Sequence, residues 1–171
     1  VIGLGTVLDS LRFRSLLAEF FGVASPQLQA LILGEHGDSM VPIWSTACVD
    51  GVPLTSLPKY DPGAVMKIFE RTRKSGAEGI SLKGGAGYAV GVAILEVLKA
   101  LAYDTKAVLP VSTWQTGAYG LKDICISVPT RLGRDGVEAC IEMELWPKEA
   151  AALTASGVAL RETLAKVQVK A

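Results

Sequence analysis

The sequence predicts an α+β domain in which antiparallel strands are flanked by long helices. Three observations carry this reading. Four stretches repeat apolar residues at helical spacing or begin with helix-start signals. The runs between them read as strands joined by turns rich in Gly and Asp. No internal repeat or low-complexity linker divides the chain. Its 171 residues suit a single domain with an adequate core, so residues 1–171 are taken as one unit.

In chain order, Leu8 to Phe21 should be a helix, since Leu11, Leu16, Leu17, Phe20 and Phe21 recur at helical spacing and Gly22 can end it. Gln29 to Leu33 is a short strand feeding the loop Gly34-Glu35-His36-Gly37-Asp38-Ser39, whose glycines permit a tight turn that exposes the His36 ring. Val41 to Val49 is the next strand, and Asp50-Gly51 signals a hairpin into Val52-Pro53-Leu54. Asp61-Pro62 reads as the N-cap and first position of a helix running to about Lys74. Lys83-Gly84-Gly85-Ala86-Gly87 lacks the Lys-Ser/Thr ending of a P-loop and reads as a turn before a helix from Gly87 to Tyr103. Residues Gly84 to Tyr103 form the most apolar stretch. Glu96 and Lys99 interrupt it, so it is expected as a helix buried against the core and not as a membrane span. Strands are expected at Ala107–Tyr119, Ile124–Arg131 and Gly136–Glu144. Pro147 should open a last amphipathic helix with Ala150, Leu153, Leu160, Leu164 and Val167 facing the core.

Composition narrows the function classes. Lys plus Arg and Asp plus Glu each number 17, which leaves no long-range field to attract nucleic acid or an anionic membrane. Cys48, Cys125 and Cys140 form no C-x-x-C pair and are odd in number, the usage of reduced, mostly buried thiols in a cytoplasmic protein. No basic-then-apolar leader is present, and Val1 is not a start methionine. No Gly-x-Gly-x-x-Gly opens a strand-to-helix turn: after Gly3-Leu4-Gly5, position 8 is Leu.

The chemistry-bearing residues are Asp9, Arg12 and His36, the only histidine in the chain. Asp9 and Arg12 are spaced to share a helix face. A carboxylate, a guanidinium and an imidazole meeting at one point suit the redox chemistry of a small hydroxy or keto acid. Arg12 can grip a carboxylate through two parallel bonds, His36 can exchange a proton with the substrate oxygen, and Asp9 can stabilise the imidazolium. The hydride would need a nicotinamide, which no side chain replaces. Spacing alone also fits a solvated Asp–Arg pair worth a few tenths of a kcal/mol and an ordinary lone His. Glu35, His36 and Asp38 lack a second His or a Cys at ligand spacing, so no metal is expected.

Longer motifs decide between these. Leu8-Asp9-Ser10-Leu11-Arg12-Phe13-Arg14, Gly34-Glu35-His36-Gly37-Asp38-Ser39, Val41-Pro42-Ile43-Trp44-Ser45, Leu109-Pro110-Val111-Ser112-Thr113, Gly117-Ala118-Tyr119-Gly120-Leu121-Lys122-Asp123 and Ser127-Val128-Pro129-Thr130-Arg131-Leu132-Gly133 follow one another in order. Together they resemble the L-lactate/malate dehydrogenase family over nearly the whole chain, with a spelling closest to the lactate branch.

The resemblance implies the fold of that family's C-terminal catalytic domain, with the N-terminal Rossmann half lying upstream and outside this chain. It also implies NAD as cofactor, a small 2-hydroxy or 2-keto acid as substrate, and a homo-oligomer, dimer or tetramer. Arg12 would bind the substrate carboxylate, and Asp9 would partner His36, the proton donor and acceptor. Ala86 stands where lactate dehydrogenases commonly carry a pocket threonine, which leaves room for malate or a longer 2-hydroxy acid. Leu4 replaces a common serine near the nicotinamide, and Val90 matches an apolar position packing on that ring; both are equally readable as core. Arg14 occupies the arginine position of a sugar-phosphate site found in some bacterial relatives, but Gln29 replaces its histidine and brings no charge to a phosphate. A non-catalytic fragment that self-associates or holds carboxylates stands as the alternative of another class.

Overall fold

The computed structural model describes residues 1–83 and 87–168. Two three-stranded antiparallel sheets and four long helices make up the domain, in agreement with the expected class. Helix α1 (Val7–Phe21) is followed by strands β1 (Leu28–Leu33), β2 (Val41–Val49) and β3 (Val52–Pro53), which form the first sheet in that order. Helices α2 (Pro62–Lys83) and α3 (Gly87–Ala102) come next. The second sheet is β4 (Val108–Thr116), β5 (Lys122–Gly133) and β6 (Gly136–Cys140), and helix α4 (Pro147–Gln168) closes the chain's described part.

Local signals act where they were expected. Gly22 takes the left-handed conformation at φ 72° and donates its N–H to Ala18, so α1 stops there. Asp50 and Gly51 both have positive φ, the requirement of a two-residue hairpin turn, and Val49 pairs with Val52. The Asp61 carboxylate accepts from the N–H groups of Gly63 and Ala64 and caps α2.

The two sheets are stitched together by backbone at the loop that carries His36. Gly34, just past β1, exchanges both backbone hydrogen bonds with Ser127 of β5, at 2.9 and 3.2 Å. Gly3 does the same with Ser112 of β4 at 2.9 Å each way. Between these bridges Gly5 approaches β4 and β5 so closely that a Cβ would lie 2.5 Å from Ser127 Oγ and 2.7 Å from Ser112 N. Its φ of 57° also demands glycine.

Three apolar clusters fill the space between sheets and helices. Phe13, Leu17, Leu28, Ile32 and Phe69 join α1, the first sheet and α2. Phe13 is fully buried, with its ring edge-to-face against Trp44 and Phe69. Leu33, Ile43, Ile126 and Leu153 join β1, β2, β5 and α4. Val7, Leu8, Ala93, Ala100, Val111 and Leu132 join the start of α1 to α3 and the second sheet. The buried carboxylate of Glu149 anchors α4: Oε1 accepts from the N–H groups of Trp44 and Ser45, and Oε2 accepts from Trp146 N–H.

Several expectations are corrected. Helix α2 continues past Lys74 to Lys83, running through Gly76 and Gly79 with no proline to stop it before the glycine run at 84. The strand expected to reach Tyr119 ends at Thr116. A turn over Ala118–Gly120 follows, with Tyr119 at φ 53° and its hydroxyl held by Ile141 O and Met143 N–H. The last strand stops at Cys140, short of Glu144. Helix α3 is not buried all round: Ala93 and Ala100 face the core, while Tyr88, Val92, Leu95 and Leu98 are exposed. In α4 Leu153 is buried and Leu160 partly so, but Ala150, Leu164 and Val167 are exposed and Ser156 is buried instead. The cysteines are free, yet Cys125 is exposed and the other two are only half-buried. Ala86 lies outside the described residues, as do Gly84 and Gly85 of the expected turn. No helix among the described residues is long and apolar enough to cross a membrane.

Candidate active site

Asp9, Arg12 and His36 are brought together. Asp9 sits in the first turn of α1 with its side chain only 2% exposed, facing the loop after β1 that carries His36. Its Oδ2 lies 2.6 Å from Nδ1 of His36, and its Oδ1 lies 3.9 Å from Nη1 of Arg12, one turn further along the same helix. One buried carboxylate therefore faces both cationic partners, one through each oxygen. The His36 ring itself is 61% exposed. With Nδ1 engaged by Asp9, Nε2 is the ring nitrogen with no partner among the described residues.

The start of α1 is placed by its own hydroxyls. Thr6 donates to Ile32 O at 2.5 Å. Ser10 Oγ accepts from Ile32 N–H at 2.9 Å, so the helix locks onto β1 just before the His36 loop leaves it. Arg12 is mostly covered, and α2 passes it at Gly76, where a Cβ would lie 3.6 Å from Nη1. Among the described residues no acceptor lies within hydrogen-bond distance of the guanidinium, because the Asp9 contact at 3.9 Å is an ion pair without a hydrogen bond. Its forked donors remain available for a planar carboxylate.

The hydrogen bond to Asp9 raises the His36 pKa above the ordinary value of about 6.5, and the Asp9 and Glu35 charges act in the same direction. Partial burial and the Arg12 charge oppose the rise. Because the folded-state pKa is the higher one, the contribution of this pair to stability is complete below the unfolded value. It is lost as pH rises through the folded value. Asp9→Asn should lower the His36 midpoint in an NMR titration, which is unambiguous with one histidine in the chain. In urea melts the variant's stability deficit should be larger near about pH 5 than near about pH 9. A midpoint unchanged from the parent would mean Asp9 does not govern the ring.

Leu4 and Val90 belong to one apolar cluster, each partly buried, with Ile2, Leu11 and Ala89 beside them. Their exposed remainder is an apolar surface of the sort a flat aromatic amide ring packs on, so the residues present fit a nicotinamide. Arg14 lies on α1. It is half-buried, its Nε has no hydrogen-bond partner, and burial lowers its pKa against the opposing pull of Glu96. Gln29 is exposed and accepts from Cys48 Sγ, and it does not line the small cavity of about 100 Å³ beside Arg14. Among the described residues no cluster of His, Cys, Asp and Glu is placed to hold a metal ion. Sequence reasoning passed over Ser39, Ser156 and Glu149; only Glu149, an acid at the third position of a helix opened by Pro147, carried a local signal.

Residues 6–171 match the model of the lactate/malate dehydrogenase alpha/beta C-terminal domain. An L-lactate dehydrogenase of Synechococcus sp. (strain JA-3-3Ab) is 41% identical over 98% of this chain and 55% of its own length. A malate dehydrogenase of Staphylococcus carnosus (strain TM300) is 45% identical over 85% of this chain and 47% of its own. The solved structure of a malate dehydrogenase from Salinibacter ruber superposes with a TM-score of 0.92 at 40% identity, covering 98% of this chain and 55% of that one. The chain thus spans about half the length of the curated relatives it matches.

Proposed function

Since this chain belongs to the lactate/malate dehydrogenase family, as its C-terminal domain, we propose that it is the substrate-binding and catalytic half of an NAD-dependent L-lactate dehydrogenase. Residues 1–171 form one domain in this reading, and the dinucleotide-binding half lies outside it. The observation that carries it is the single Asp9 carboxylate facing His36 at 2.6 Å through one oxygen and Arg12 at 3.9 Å through the other.

Each residue then has one task. Arg12 receives the carboxylate of the 2-keto acid in a two-bond fork and sets its orientation. Asp9 holds the ring through Nδ1 and favours its charged form, so His36 is protonated when the substrate arrives. Nε2 then donates a hydrogen bond to the keto oxygen and yields its proton as that oxygen gains negative charge. In the oxidative direction neutral His36 takes the hydroxyl proton. NAD, when bound, supplies or accepts the hydride, and Leu4 and Val90 would hold its nicotinamide ring. Ala86 would line the space for the substrate side chain.

Lactate is favoured by motif spelling. The second reading, malate or a longer 2-hydroxy acid, is favoured by Ala in place of a pocket threonine and by relatives bearing the malate name. One such pocket change is worth only about 1–3 kcal/mol. The test is kcat/KM for the complete protein with NADH and pyruvate, oxaloacetate or 2-ketoisocaproate. A clear preference for pyruvate is expected; a preference for oxaloacetate would install malate. No turnover by the folded protein would leave the carboxylate-binding fragment. The exposed apolar face of α3 supports a partner there, either the nucleotide-binding half or a second copy. The free thiols support a cytoplasmic setting.

A further inference from the structure

Helix α4 contributes none of the trio, yet one of its side chains reaches the loop that carries His36. Ser156 is fully buried, and its Oγ accepts the Glu35 N–H at 2.8 Å and lies 3.0 Å from Ser39 Oγ. The Ser39 hydroxyl donates to the Glu35 carboxylate. A hydroxyl has only one proton to give. Ser39 spends its proton on Glu35, so Ser156 must be the donor in the contact between the two hydroxyls. The directions then run in a closed ring, from Glu35 N–H to Ser156, from Ser156 to Ser39, and from Ser39 back to the Glu35 carboxylate. Such a cycle polarises each bond in the same sense, and it brackets His36 from both sides.

The surroundings are shaped for this contact. Gly34 has φ 90°, and a Cβ there would lie 2.7 Å from Ser156 Oγ, so glycine at 34 gives the serine its access. Gly37 packs its α-carbon side against the Glu35 carboxyl group, where a Cβ would lie 3.2 Å away. Helix α2 touches the loop through Arg73, which donates to Asp38 O at 3.4 Å. The charges acting on the imidazole are Asp9 and Arg12 from α1 and Glu35 from its own loop.

We propose that Ser156 is a positioning residue for His36, fixing the loop through the Glu35–Ser156–Ser39 ring in the register where the imidazole meets Asp9. The proposal rests on the reading of His36 as the proton donor and acceptor; Ser156 itself touches no substrate.

The test compares Ser156→Ala, Ser39→Ala and Leu153→Ala in this chain, reading the His36 midpoint by NMR and Tm by calorimetry. Both serine variants should move the midpoint down toward the ordinary imidazole value. Leu153→Ala, which removes a buried side chain from the same helix, should lower Tm and leave the midpoint where it was. In the complete protein Ser156→Ala should lower kcat roughly tenfold to a hundredfold with KM within about twofold, the signature of a displaced catalytic group. If Ser156→Ala does not fold, Ser39→Ala opens the same ring from the loop side and decides the matter. Midpoints unmoved in the folded serine variants would overturn the proposal, as would Leu153→Ala moving the midpoint as far as Ser156→Ala does. The parent reading fails separately, through His36→Asn that keeps its turnover, and that outcome is read without any titration.

Discussion

His36→Asn in the complete protein should cut kcat for keto-acid reduction by roughly 10²–10⁴-fold, the usual worth of a positioned general acid. Asn retains an N–H that can reach Asp9 Oδ2, so the buried carboxylate keeps a donor and the fold should survive. KM should change little, because Arg12 and not the imidazole grips the substrate. The pH profile is the sharper readout. In the parent, reduction depends on the charged ring and falls as pH rises through the His36 pKa, which the Asp9 bond has raised. The variant should lose that limb together with its rate. A variant that kept both near the parent's values would end the assignment of Asp9, Arg12 and His36 as catalytic machinery.

Arg12→Leu should act on binding. Two charge-assisted hydrogen bonds, each worth about 1.5–3 kcal/mol, are removed, so kcat/KM should fall by roughly 10²–10⁴-fold, mostly through KM. Arg12→Lys should recover only part of the loss, since an ammonium is a point charge and cannot fork onto a planar carboxylate. An independent check comes from the imidazole. The Arg12 charge holds the His36 pKa down against the pull of Asp9, so its removal should raise the midpoint further. Loss of kcat with unaltered KM would move Arg12 from substrate binding to a purely electrostatic role.

Much of the fold was legible because its punctuation is local. Gly22 ends α1, Asp50-Gly51 turns the hairpin and Asp61-Pro62 starts α2, each through contacts within a few residues. The trio was legible because its motifs are long, and Asp9 and Arg12 lie one turn apart on α1 as their spacing requires. The errors fall where long-range packing decides. Leu164 and Val167 keep helical spacing, but among the described residues they stay exposed at the end of α4. Helix α3 is apolar on faces that the described residues leave exposed. Ser156 carries no local signal, and only the approach of a loop 121 positions away gives it partners. Arg14 is half-buried because β1, α3 and β4 close over it, contacts that no local spacing announces.

The stitching around His36 also bears on how the domain comes apart. Asp9 reaches His36 across 27 positions and Glu35 reaches Ser156 across 121, while Gly34 is laced to Ser127 in the other sheet. The last two are closures of high sequence separation, each needing an element from the far half of the chain. Opening the His36 loop therefore means breaking contacts with β5 and α4 as well as its own turn. Loosening either α4 or the second sheet would therefore be felt at the acid–base pair, although neither supplies a residue to it.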